Sequence, residues 1–124
     1  MNRAFLLLLM LFLHVFDDFH LQGILASMKQ KKYWQEHAPQ NKYRFDYIIS
    51  LLAHGFGWAF LVMLPIAGMQ HFCVSARFFR TLIGHSIIHA FIDDAKANRG
   101  LINLWTDQIL HVMQIVFIII VMLP

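Results

Sequence analysis

The sequence predicts an all-α protein: a four-helix transmembrane bundle with a polar His/Asp core in one half of the bilayer. Three observations carry this. Of 124 residues, 59% are hydrophobic and only 14% charged, against about a quarter charged in soluble domains. A soluble domain this small could not hide so much apolar surface. The apolar residues fall into four long segments without the strict alternation of strands. Eight histidines sit largely within those segments, where lipid penalises them.

Segment one covers about residues 4–28. Its apolar run "AFLLLLMLFLHVF" is only thirteen residues long, and a span needs about 20. Continued to Met28 it suffices, which places Asp17, Asp18, His20 and Gln22 in or near the membrane. The alternative is a signal peptide, with "MNR" as n-region and "FLLLLMLFL" as h-region. The two aspartates after the apolar run and the lack of a small-x-small cleavage site oppose it. Residues 29–45 form a basic loop or interfacial helix, with Tyr33, Trp34 and Tyr43 suited to the headgroup zone. Segment two (47–69) carries no charge after Asp46, and Pro65 sits near its far end, where a kink or a helix end is tolerated. Gly55 and Gly57 predict close helix approach. Segment three covers 74–94, with Arg77 and Arg80 snorkelling at its start. Segment four covers 101–123 and ends in the apolar "IVFIIIVMLP".

Four spans put the first and third loops on one side, with Lys29, Lys31, Lys32, Lys42, Arg44, Lys96 and Arg99. The other side holds Arg3, Arg77 and Arg80. The positive-inside rule then places both termini outside, in a bacterial inner membrane. The net charge of +3 is accounted for by topology, and no nucleic-acid partner is expected. The single cysteine, Cys73, excludes an intrachain disulfide and a cysteine-based zinc knuckle.

Chain reversal brings the polar residues of all four helices to one half of the bilayer. His14, Asp18 and Gln22 are spaced by four and share a helix face. So do His85, His89 and Asp93, with Lys96 close to that stripe, and Asn103, Asp107 and His111. Such faces must turn inward, because a lipid-facing charge costs about 2.5–3.5 kcal/mol. His and Asp on facing bundle helices are how metal centres are built. The candidate ligands are His14, Asp18, His54, His85, His89, Asp93, Asp107 and His111, for one or two divalent ions (zinc, manganese or iron). Gln22, Asn103 and Gln108 are expected to support the ligands. Taken alone, His54 reads as a hydrogen-bonded packing residue; within the set it reads as a ligand. A metal-free proton relay and a structural polar network remain open alternatives. His20, His37 and His71 are expected at the surface. Asp17 and Asp94 point about 100° away from the neighbouring ligands on a regular helix.

Three ordered motifs resemble a family of small bacterial and phage membrane proteins, domain of unknown function 3307. "HVFDDFHLQ" resembles its H-x-x-x-D-F-x-L-Q signature, on His14, Asp18 and Gln22. "HAFIDDAK" resembles its H-x-x-x-D-x-x-K element, on His89, Asp93 and Lys96. "DQILH" resembles its D-Q-x-x-H element, on Asp107, Gln108 and His111. His54 matches a histidine of that family's second span. A looser likeness to membrane-bound metal-dependent hydrolases is one of style.

Three functions follow as expectations. The first is a metal-dependent hydrolase at the membrane face, with Asp18 or Asp93 as general base. Lys96 would then hold an anionic, lipid-like or phosphate substrate, while Lys29 to Lys32 set topology and pair with lipid. The second is a proton relay or transporter, for which an oligomer would have to supply the through-path. The third is a non-catalytic membrane protein stapled by its ion.

Overall fold

The computed structural model describes residues 1–123. Among them the regular structure is entirely helical. Helix α1 (Arg3–Phe16) starts at Asn2, whose side chain accepts the Phe5 amide, an N-cap. It runs on into a π-helical turn, Asp17–Leu21. The chain then breaks at Gly23, where φ is +52°, a value open to glycine at little cost. Short helices α2 (Leu25–Met28) and α3 (Lys31–His37) and a 3₁₀ turn, Asn41–Tyr43, complete the basic connection. The expected single helix over 4–28 is therefore two pieces.

Helix α4 (Asp46–Met69) continues through Pro65 to Met69. Helix α5 (Ala76–Ala97) is capped by Ser75, which accepts the Phe78 amide at 3.1 Å. It ends where Gly100 adopts φ +60° and the Leu101 amide reaches back to the Ala95 carbonyl at 2.9 Å. Helix α6 (Leu104–Met122) is capped by Asn103, which accepts the Thr106 amide.

The four long helices pack in a ring: α1 on α4, α4 on α5, α5 on α6 and α6 back on α1. The α4–α5 seam is the closest. A Cβ on Gly55 would lie 2.4 Å from the Ser86 carbonyl oxygen, so only glycine fits. Gly57 faces open space, and the expectation of close approach holds for Gly55 alone. One end of the ring is filled by Leu6, Met10, Val62, Ile66, Phe78 and Ile118 with their neighbours. The outward faces are apolar too, with Phe5, Phe12, Phe60, Phe91, Phe117 and Ile120 exposed.

Three helical stretches are long and apolar enough to cross a membrane: Arg3–Leu21, Asn41–Met69 and Leu104–Met122. Helix α5 is not among them, for it carries Arg77, Arg80, Asp93, Asp94 and Lys96. The first such stretch stops at Leu21 rather than at Met28.

Candidate metal centre

At the other end of the ring, side chains from all four long helices converge. Asp18 comes from the π turn, His54 from α4, His89 and Asp93 from α5, and Asp107 and His111 from α6. They form three overlapping triples: Asp18–His54–His89, His89–Asp93–His111 and Asp18–Asp107–His111. Within each triple the donor atoms lie within 4.8 Å of one another. These buried groups could hold a metal ion.

The separations are informative. His54 Nε2 is 3.7 Å from Asp18 Oδ1 and 3.5 Å from Asp93 Oδ2. His111 Nε2 is 3.5 Å from both Asp93 Oδ1 and Asp107 Oδ1. His89 Nε2 is 3.8 Å from Asp93 Oδ1. N–H···O bonds span about 2.7–3.2 Å, so these pairs are too far apart for good hydrogen bonds. Two ligands on one tetrahedral ion, each bonded at about 2.1 Å, stand about 3.4 Å apart. The contacts resemble edges of a coordination shell more than hydrogen bonds.

The hydrogen-bond accounting agrees. Asp17 Oδ2, Asp18 Oδ1, His54 Nε2, both nitrogens of His89, Asp107 Oδ1 and His111 Nε2 are buried without a protein partner. A buried polar atom left unpaired costs about 1–3 kcal/mol, so these atoms are where water or an ion could be bound.

Around these atoms a set of hydrogen bonds ties the neighbouring polar groups together. Trp58 Nε1 donates to His14 Nδ1 at 2.8 Å. That fixes His14 Nε2 as the protonated nitrogen, facing Gln108 Oε1 at 3.1 Å. Gln108 Nε2 in turn donates to Asp18 Oδ2 and Asp107 Oδ2, both at 3.1 Å. His14, expected as a ligand, thus has both ring nitrogens occupied and orients two carboxylates through Gln108, which has the supporting place expected of it. His85 also stands apart from the triples. Its Nδ1 meets Gln114 Oε1 at 2.9 Å, and Gln114 Nε2 reaches His111 Nδ1 at 3.3 Å. His85 therefore acts on the cluster only through Gln114.

Two residues expected as supports lie elsewhere. Gln22 donates to the Asp18 backbone carbonyl at 2.8 Å and serves the helix end. Asn103 is exposed and caps α6. His20, His37 and His71 are exposed, as expected.

Asp17, Lys29, Trp58 and Gln114 escaped the spacing argument, whereas Lys96 was expected beside the stripe of His89 and Asp93. Asp17 is buried 3.7 Å from His54 Nδ1, because the π turn widens the helix and lets consecutive aspartates face inward. Lys29 is buried and donates to Asp93 Oδ2 at 2.6 Å, so it belongs to the cluster rather than to the headgroup zone. Lys96 pairs with Asp107 Oδ2 at the same distance, with its side chain 29% exposed. Trp58 stacks on His89 with ring centroids 4.4 Å apart, and His89 stacks on His111 at 4.1 Å. Trp58 and Gln114 continue the polar stripes of His54 and His111 by one helical step, a signal the sequence did carry. Asp94 is buried but accepts from Arg99 and Asn98, outside the triples.

No family model, curated protein or solved structure matches this chain.

Proposed function

We propose that the chain is an integral membrane protein that binds divalent metal and hydrolyses a phosphoryl or acyl substrate at the membrane face. The observation that carries the reading is the cluster of buried, unpartnered ligand atoms contributed by four helices. In this reading α5 is a fourth span. Its outer face is apolar, with Phe79, Ile87, Ile88 and Phe91 exposed. Its acidic groups pair within the protein. The three motifs resembling domain of unknown function 3307 fall on this cluster; that family has no settled activity, so the resemblance supports the site and not the chemistry.

Bound divalent metal lowers the pKa of a coordinated water and polarises the bond to be cleaved. Asp18 and Asp93 are the carboxylates able to take that water's proton. Lys96 reaches from the surface into the cluster and suits an incoming anionic group. An apolar groove of about 420 Å³ between α4 and α5, lined by Tyr47, Leu51, Ile87 and Phe91, has Asp94 and Arg99 on its wall. None of the cluster's ligand residues lines it, and its apolar walls suit an acyl chain. The proton-relay reading has less support, since the far end of the ring is apolar.

The test is elemental analysis of detergent-purified protein, followed by assay on phosphate-ester and acyl-lipid substrates with and without a chelator. Stoichiometric metal with turnover abolished by chelation is expected. Metal-free protein refutes metal binding, and metal without turnover leaves an ion that only staples the fold.

A further inference from the structure

Lys29 is unusual among the basic residues of the 29–45 connection, because it points into the protein. Its side chain is 7% exposed. The backbone around it is clamped. Asn98 Nδ2 donates to the Lys29 carbonyl at 2.9 Å, and the Lys31 amide donates to Asn98 Oδ1 at 2.7 Å. Trp34 Nε1 donates to the Met28 carbonyl at 2.7 Å. Asn98 is itself held by Asp94. A lysine in a basic membrane-flanking segment would ordinarily extend its ammonium outward to water and headgroups. Here the chain is fastened so that the ammonium meets Asp93 instead.

Lys96 repeats the arrangement from α5, so two cluster carboxylates each give their Oδ2 to an ammonium at 2.6 Å. The other oxygen of each, Asp93 Oδ1 and Asp107 Oδ1, turns toward His111. Each lysine thus leaves its carboxylate one inner oxygen for a metal.

Charge then decides how much metal the site takes. Four carboxylates, Asp17, Asp18, Asp93 and Asp107, are buried there with two ammoniums, Lys29 and Lys96. Four negative charges against two positive leave a net charge of −2 with neutral imidazoles. Uncompensated charge is expensive where water is scarce. The donors alone could serve more than one ion, since six residues form three triples that overlap at Asp18, His89 and His111.

We infer that Lys29 and Lys96 are resident cations of the metal centre and limit it to one divalent ion, where its ligands would otherwise accept two. The inference rests on the metal-binding reading above.

The test is metal stoichiometry and affinity. Wild type, K29M, K96M, K29M/K96M and K29R/K96R are loaded with Zn²⁺ or Mn²⁺ in detergent. Each is freed of excess metal by gel filtration and analysed for metal and protein. Wild type and the double arginine variant are expected to hold one ion per chain, and the double methionine variant two. Two ions in wild type, or one in a double methionine variant that elutes and shows circular dichroism like wild type, overturns the inference. If the double variant does not fold, K96M decides, because Lys96 is the less buried. Its ion should resist a competing chelator at least tenfold better than wild type, and equal or weaker retention overturns the proposal. Absence of metal from every folded variant sinks the metal reading itself, a distinct outcome.

Discussion

The two ends of the helix ring are built on opposite terms. At one end Leu6, Met10, Val62, Ile66, Ile115 and Ile118 are fully buried and chemically complete: they need only one another. At the other end His54, His89, Asp93, Asp107 and His111 are buried almost as deeply, yet several of their polar atoms have no partner. Shape alone can settle the first end. The second gathers ligand atoms that could hold a metal ion. Trp58 is the boundary, stacked on His89 and belonging to the apolar core.

Substitutions at the two ends should therefore fail differently. The largest effect is expected for His89→Ala, which removes the imidazole shared by two triples. It should abolish metal retention, read by elemental analysis, while the apolar end keeps the chain helical. Next is Gly55→Ala, whose methyl group would meet the Ser86 carbonyl. It should force α4 and α5 apart at a cost of about 3 kcal/mol or more, on the scale of severe overpacking, seen as a lower midpoint of thermal unfolding in detergent. Ile118→Ala, at the apolar end, should cost about 2–5 kcal/mol and leave the metal content of the folded fraction unchanged. If that variant instead loses metal in proportion to stability, the two ends are not independent. Gln108→Ala should weaken metal binding about 10–100-fold, the usual effect of removing a group that orients ligands, without a comparable loss of fold. Gly57→Ala should be nearly silent, since its Cβ would enter open space.

Much of this contrast was legible in the chain. Four-residue spacing found the inward stripes, and chain reversal found their common end. Spacing alone, however, does not measure depth along a helix. His85 lies one turn before His89, and that turn takes it from the triples to a contact with Gln114. Asn103 shares a stripe with Asp107 but sits at the first cap, where its side chain is consumed by a backbone amide. His14 was correctly placed near the site, but its role depends on Trp58, which spacing on its own helix cannot reveal. Asp17 was misjudged because a regular helix was assumed where the backbone forms a π turn. Lys29 was misjudged because basic residues beside a span normally report topology, and only the Asn98 clamp turns this one inward. The expected fourth span is the least legible element: α5 is not among the helices apolar enough to cross a membrane, since Arg77, Arg80, Asp93, Asp94 and Lys96 reduce its apolar character.

The indole of Trp58 touches the cluster directly, through its bond to His14 and its stacking on His89. The chain's other two tryptophans, Trp34 and Trp105, lie on the connection and near the start of α6. Replacing both with phenylalanine would leave a single emitter against the imidazoles. Ion loading could then be followed in real time by intrinsic fluorescence, in micelles or vesicles and without any added dye.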